Sequence, residues 1–330
     1  MEKMDLLYIC DNAFAELAGI SLTSLFENNQ NSKFDITIYL LTVDVSEENK
    51  QNFCILAQKY NHIVKIIDVK EILIEIQQLD IATYRNSAMT NIRLYFERFV
   101  PDNVQRLLYL DCDTIICDSL EELFRFDLSG KLLGMVLDAY GVILNRTQEK
   151  NSVYYNAGVI LIDCNKWRRE QWSVKIIEYI RQYGADFSHP DQDIYNIVCK
   201  DDIIKLPIRY NFQTVHRMYS EKLFFRFLAP NEYYSEIEIA EARERPSIVH
   251  MIRALGSNPW NSKRYHPDNS LFRYYKNHSL WRHTPMVQVK SDFFIRLERI
   301  LYKILPSRFF FPISLCAIKI AQHIDRKNKY

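Results

Sequence analysis

The chain has 330 residues, 48% apolar, 25% charged and 13% aromatic, the proportions of a folded globular protein rather than a disordered or fibrous one. Lys and Arg number 42 against 41 Asp and Glu, a net charge of +1, so no general positive field draws nucleic acid to the surface and no nucleic-acid partner is expected. Only 7 glycines occur and none is spaced as G-x-G-x-x-G or G-x-x-x-x-G-K-[ST], so a bound nucleotide would need its phosphates held by something other than a glycine-rich loop.

The first 80 residues alternate between two periods. An apolar run at Leu6 to Cys10 predicts a strand, Phe14 to Phe26 a helix and Ile36 to Leu41 a strand. Ser46 to Tyr60 then reads as a helix and Ile63 to Ile67 as a further strand. Glu47 and Glu48 in the first turn and Lys59 in the last suit the helix dipole. Such alternation implies a mainly parallel sheet with helices on both faces. Ser87 to Val100 carries Ile92, Tyr95, Phe96 and Phe99 at helical spacing, and Pro101 ends it. Arg106 to Leu110 has the composition of a buried strand, and strands are also expected at Leu132 to Leu137 and Val159 to Ile162. Helices are expected near Trp172 to Tyr183 and Gln192 to Cys199.

The texture becomes basic and aromatic from about Pro267, and residues 290–330 hold nine Lys or Arg against three acids. Phe293, Phe294, Leu297, Ile300, Leu301 and Ile304 form a stripe flanked by Arg296, Arg299 and Lys303, the pattern of a basic helix that lies on a membrane surface. Packing of the stripe on the main domain is the plainer alternative. The closing Arg326-Lys-Asn-Lys329 adds to the basic charge. No run approaches the roughly 18 apolar residues of a spanning helix, and the N-terminal ten residues lack the pattern of a signal peptide. Seven scattered cysteines without a C-x-x-C pair fit buried thiols in a reducing cytoplasm. The expected location is therefore cytoplasmic, with peripheral contact to the inner face of the cell membrane.

The segment Asp111-Cys112-Asp113 follows the strand at 106–110, and residues i and i+2 of an extended segment project to one side, so both carboxylates can grip one divalent cation. Two enzyme classes use such an element. Haloacid dehalogenase-type phosphatases match Asp111-Cys-Asp-Thr114, with the first Asp as nucleophile. Metal-dependent nucleotide-sugar glycosyltransferases use the pair to hold a metal against a diphosphate.

Further segments separate the two. Tyr8-Ile-Cys-Asp-Asn-Ala-Phe-Ala15, Leu107-Leu-Tyr-Leu-Asp-Cys-Asp-Thr-Ile115, Tyr155-Asn-Ala-Gly-Val-Ile-Leu-Ile-Asp163, Asp191-Gln-Asp193 and Ile248-Val-His250 with Asn258-Pro-Trp260 occur in this order. Together they make residues 5 to 265 resemble glycosyltransferase family 8, which includes bacterial lipopolysaccharide glucosyl- and galactosyltransferases and glycogenin. The resemblance implies an α/β fold of GT-A type, a Rossmann-like, mixed but mainly parallel sheet flanked by helices, over residues 1–265. Residues 266–330 form a C-terminal helical basic extension.

It also implies the site. Asp111, Asp113 and His250 would hold Mn²⁺, or Mg²⁺, and one imidazole beside carboxylates suits manganese better than magnesium. Asp11 would bind uracil or ribose, Phe14 would stack on the base, and Arg93 would contact the donor. Cys112, Ala157 and Gly256 would complete the donor site. Asn156, Asp191, Gln192 and Asp138 would face the sugar, with Gln192, Asp191 and Asp138 as the catalytic set. The reaction implied is retaining transfer of glucose or galactose from a UDP-hexose to a glycan or glycolipid acceptor in surface polysaccharide or lipopolysaccharide synthesis. Three departures bear on it. Ala13 stands where Asn is common, Asn258 where Lys usually precedes Pro-Trp, and the loop from His250 to Trp260 is about two residues longer than the usual form. Arg253 or Lys263 is the expected replacement for the lost charge, and a catalytically impaired sugar-binding member is the alternative reading.

Overall fold

The computed structural model describes residues 2–78, 89–143, 153–183, 190–228, 232–288 and 293–327. Strands β1 (Glu2–Asp11) and β2 (Phe34–Val43) run parallel, from Glu2 opposite Phe34 to Asp11 opposite Val43. Both are buried along most of their length, as a parallel sheet covered on both faces requires. The helix Ala15–Asn28 joins them and is buried throughout Leu17 to Phe26. The next helix, Glu47–Lys59, starts where the Ser46 hydroxyl accepts the Asn49 N–H at 3.3 Å, and β3 (Ile63–Asp68) follows.

The chain then passes through a 3₁₀-helix, Met89–Arg98, and returns on the other side of β1 as β4 (Arg106–Leu110). After β5 (Thr114–Ile116) come β6 (Leu133–Leu137), β7 (Tyr155–Asp163) and β8 (Ile203–Lys205). The last two strands are β9 (Phe212–Gln213) and β10 (Ile248–His250). The main sheet has the order β3-β2-β1-β4-β7-β6-β8, and a small one the order β5-β10-β9. Only β7 runs against its neighbours in the main sheet, so the architecture is the expected mixed, mainly parallel α/β sheet flanked by helices. Strand order reverses between β1 and β4, the point where such sheets bind ligands at the strands' carboxyl ends.

Two local expectations change. The segment predicted as an α-helix over 87–100 winds as a 3₁₀-helix, and Ser87 lies outside the described residues. Its residues Asn91 to Phe96 are all buried. With three residues per turn, Arg93 stands over Thr90 and its Nε donates to the Thr90 carbonyl at 3.1 Å. The strand predicted over 159–162 begins at Tyr155, because Asn156 to Gly158 also take sheet positions between β4 and β6.

The helix Asn269–His278 and the turn after it place Phe272, Tyr275 and Trp281 in the main core. The helices Phe293–Ile304 and Ser307–Lys327 follow. Phe310, Phe311 and Leu315 join a second apolar cluster with Ala139, Val215, Tyr219, Phe224 and Leu255. The stripe predicted on the first tail helix mostly faces outward, with Phe293 71%, Phe294 78%, Ile300 54% and Ile304 67% exposed. Lys290, Asn328 and Lys329 lie outside the described residues.

Candidate active site

Asp11, Asp111 and Asp138 each stand at or just beyond the carboxyl end of a strand, respectively β1, β4 and β6, and these three strands run in one direction. The sheet therefore delivers three carboxylates to one edge. Antiparallel β7 begins at that edge, bringing Asn156 and Ala157 between them. The ladder continues past β4, where the Asp111 N–H donates to the Gly158 carbonyl at 2.8 Å and fixes the backbone from which the carboxylate projects.

The small sheet supplies the third candidate metal-ligating side chain. Thr114 opens β5 and pairs directly with His250 at the end of β10, so the turn holding Asp111 and Asp113 lies beside the imidazole. His250 Nε2 is 3.3 Å from Asp113 Oδ1 and 3.8 Å from Asp111 Oδ2. One ligand atom from each of the three residues falls within 4.8 Å of the others. The far side of the ring is held, because Nδ1 lies 3.0 Å from Asn211 Oδ1 and Asn211 in turn donates to Asn156 Oδ1 at 2.8 Å. A second partner of this kind fixes the ring orientation and leaves Nε2 turned toward the carboxylate pair. Gly158 makes room for it, since a Cβ there would lie 2.2 Å from His250 Cε1. Burial pulls the His250 pKa down, but Asp113 and Asp111 outweigh it and hold the group above the ordinary histidine value. Two carboxylates and an oriented imidazole fit a divalent cation.

Arg93 organises the opposite side. It is 5% exposed, donates from Nη2 to Asp111 Oδ1 at 2.9 Å and from Nη1 to the Ala157 carbonyl at 2.7 Å, and its Nε lies 3.2 Å from Asp191 Oδ2. The guanidinium also covers the Tyr109 ring at 4.3 Å, and the Tyr109 hydroxyl donates to the same Asp111 oxygen. Asp111 Oδ1 is thereby occupied and Oδ2 faces His250. Burial raises the Asp191 pKa against the lowering pull of Arg93.

Gln192 is tied at both ends of its amide. Its Oε1 accepts the Ala157 N–H at 2.9 Å and its Nε2 donates to Asp138 Oδ2 at 2.8 Å. Asp11 both lines the cavity and accepts the Phe14 N–H at 2.9 Å, so the same carboxylate caps the turn and faces the ligand space. Phe14 is 46% exposed at the rim.

These groups surround one cavity of about 620 Å³, lined by Asp11, Phe14, Arg93, Asp111, Cys112, Asp113, Asp138, Asn156, Ala157, Asp191, Gln192 and His250. Gly256 does not line it and instead sits on a neighbouring turn against Ile295. Cys112 contributes little chemistry, since its buried thiol donates to the Ile9 carbonyl at 3.1 Å and burial pushes its pKa up. Sequence reasoning missed Tyr109 and Asn211. Tyr109 was visible only as a strand residue two before Asp111, and Asn211 has no spacing relation to the residues it supports.

A doubly wound sheet with a carboxylate pair and a histidine gathered beside a cavity at its switch point is an architecture of GT-A type, with three side chains that could hold a divalent cation. The chain belongs to glycosyl transferase family 8, whose model matches residues 5–264. A Haemophilus influenzae relative is 28% identical over 226 residues, spanning 66% of this chain and 65% of that protein. The lipopolysaccharide glucosyltransferase WaaO of Escherichia coli is 24% identical, over 90% of this chain and 91% of its own length. The galactosyltransferase LgtC, solved with donor and acceptor sugar analogs, superposes with a TM-score of 0.65 at 22% identity, covering 84% of this chain and 96% of that one. The chain is thus a glycosyltransferase by family, and the phosphatase reading of Asp111-Cys-Asp-Thr114 falls away.

Proposed function

We propose that the protein transfers glucose or galactose from a UDP-hexose to a hydroxyl of a glycan or glycolipid acceptor, with retention at the anomeric carbon, in bacterial surface polysaccharide or lipopolysaccharide synthesis. The observation that carries this reading is the meeting of Asp111, Asp113 and His250 at the strand-order reversal, inside a cavity with Phe14 at its rim and Gln192 and Asp138 in its wall. Similarity to WaaO and LgtC supports the hexose and the acceptor class.

Asp111, Asp113 and His250 would hold Mn²⁺, with Mg²⁺ as the weaker fit to a set containing an imidazole. Bound there, the cation supplies charge neutralisation for the departing diphosphate without a protonated side chain. Phe14 stacks on uracil and Asp11 takes the base or ribose. Arg93 holds Asp111 and Asp191 in place from inside the wall. Asn156, Asp191 and Asp138 contact the hexose. Gln192 positions it, since an amide oxygen already accepting a backbone N–H is poorly placed as a nucleophile. The acceptor oxygen then attacks from the face the leaving group vacates.

No helix among the described residues is long and apolar enough to cross a membrane. We place the protein in the cytoplasm, with the outward stripe of the helix Phe293–Ile304 and its flanking Arg296 and Lys303 resting on an anionic membrane surface where a glycolipid acceptor is presented.

Calorimetric titration with UDP, with and without Mn²⁺, tests the donor site. Binding is expected to need the metal and to disappear in the Asp111→Asn, Asp113→Asn double variant. Absence of UDP binding under every metal tried would overturn the uridine-donor reading and favour the impaired sugar-binding alternative.

A further inference from the structure

Among the described residues the cavity is short of positive charge, its wall carrying five carboxylates, Asp11, Asp111, Asp113, Asp138 and Asp191, against two arginines and one histidine. Arg93 is spent inside the wall on Asp111, Asp191 and two carbonyls. His250 faces the carboxylate pair. Among the described residues, a diphosphate entering this space would meet one remaining side-chain cation, Arg253, which is exposed, lines the cavity and makes no ion pair within 4.0 Å. Its acidic neighbour is Glu298, whose pKa burial raises against the pull of Arg299 and Arg253. Asn258, also in the wall, carries no charge, and Lys263 is exposed but does not line the cavity.

The backbone around Arg253 is built for a fixed direction. Ala254 and Ser257 exchange hydrogen bonds, N to O, at 3.0 and 2.8 Å, and Leu255 and Gly256 between them have φ of 51° and 58°. Two left-handed residues closed by such a pair form a tight reversing turn, and a leucine in that conformation is uncommon. The tail holds it there. Arg299, 7% exposed, donates from Nε to the Leu255 carbonyl at 3.0 Å and from Nη2 to the Gly256 carbonyl at 3.2 Å. The Leu255 side chain enters the apolar cluster containing Phe310 and Phe311, and a Cβ at Gly256 would lie 2.6 Å from Ile295 Cγ2. The loop thus carries a turn whose outer side is clasped by the helix Phe293–Ile304, with Arg253 at its foot on the cavity side.

We infer that Arg253 is the cationic contact for the diphosphate of the nucleotide donor, and that Arg299 is a positioning residue that fixes the turn from which Arg253 projects. This rests on the uridine-nucleotide reading above and assigns the charge that Asn258 does not supply. A guanidinium can take two phosphate oxygens at once, and loss of one charge-assisted pair of this kind corresponds to about 10- to 100-fold in affinity.

The test compares UDP with uridine by calorimetry in the presence of Mn²⁺. Arg253→Gln is expected to weaken UDP about 10- to 100-fold and leave uridine unchanged, and Arg253→Lys to recover part of the loss. Arg299→Met is expected to weaken UDP selectively too, but to add little once Arg253 is Gln. Unchanged UDP affinity in Arg253→Gln, with binding still abolished by the Asp111→Asn, Asp113→Asn change, overturns the inference and leaves the donor site standing. Equal loss of UDP and uridine in Arg253→Gln also overturns it, because a damaged fold does not distinguish the two ligands. Additive losses in the double variant overturn the role of Arg299. No UDP binding by the unaltered protein overturns both this inference and the reading beneath it.

Discussion

At the scale of single residues, the site depends on which atom each ligand presents. Asp111 gives Oδ1 to Arg93 and Tyr109, and His250 gives Nδ1 to Asn211, so each keeps one atom toward the shared space. Gly158 is the hinge of this arrangement. An added methyl at that position would overlap the imidazole at 2.2 Å from Cε1 and 2.6 Å from Nδ1, forcing the ring away from Asp113 and from Asn211. Disturbing a ligand and its supporting partner together lowers metal affinity by about 10- to 100-fold. Gly158→Ala is therefore expected to weaken Mn²⁺ binding on this scale, measured by electron paramagnetic resonance of the free ion. Unaltered Mn²⁺ affinity would show that His250 does not ligate. Arg93 tests a different property of the same wall. Removing it leaves Asp111 and Asp191 close together without their counter-charge, and breaking a buried pair in this way costs about 3–5 kcal/mol. Arg93→Leu should accordingly lower the urea midpoint at pH 7 even before any donor is added, and a midpoint equal to the parent's would mean that solvent reaches the pair.

At the scale of elements, what the sequence made legible follows from how local each signal is. The Asp-Cys-Asp turn declared itself because a buried strand runs straight into it, and β5 carries it to His250, which the resemblance named without any register, through direct pairing of His250 with Thr114. Asn211 stayed hidden because its role arises only when β9 lies beside β10, a contact between segments nearly forty residues apart. The winding of Met89–Arg98 was also out of reach, since over ten residues apolar spacing does not separate three residues per turn from 3.6. In the tail, the amphipathic pattern was legible but its direction was not. Ile295, Arg299 and the Phe310–Phe311 pair turn inward, while Phe293, Phe294, Leu297, Ile300 and Ile304 turn out with the basic side chains between them. Because Phe294 and Ile300 are well exposed, the pair Phe294→Glu, Ile300→Glu should leave the melting temperature nearly unchanged. The same pair should abolish co-sedimentation with vesicles rich in phosphatidylglycerol, and binding to purely phosphatidylcholine vesicles should be weak in both forms. Retention of the variant on anionic vesicles would remove the membrane from the proposed function.

At the scale of the whole molecule, the two apolar clusters meet around the helix Thr214–Met218, which joins β9 to the seat of the tail. His216 lies in this helix, 1% exposed, with ring contacts to Phe212, Phe224 and Tyr233 and Nε2 2.8 Å from the Tyr233 hydroxyl. Burial, reinforced by the charge of Arg243, pushes its pKa down to about 3. The unfolded chain takes up this proton as pH falls below about 6.5, whereas the folded protein refuses it until far lower. Stability from the neutral ring is therefore complete above about pH 6.5 and declines as pH falls toward 3, by on the order of 1.4 kcal/mol per unit. His62 and His266, also lowered by burial, act in the same direction, whereas His250, raised by Asp113 and Asp111, acts in the opposite one near neutral pH, and Asp5, Asp191 and Glu298, raised by burial, oppose it at the acid end. His216→Phe keeps the aromatic volume and removes the titration, at some cost in stability from the orphaned Tyr233 hydroxyl. Between pH 7 and pH 5 the urea midpoint of the parent should fall relative to that of the variant. Equal slopes would place the acid sensitivity elsewhere and leave His216 as packing alone.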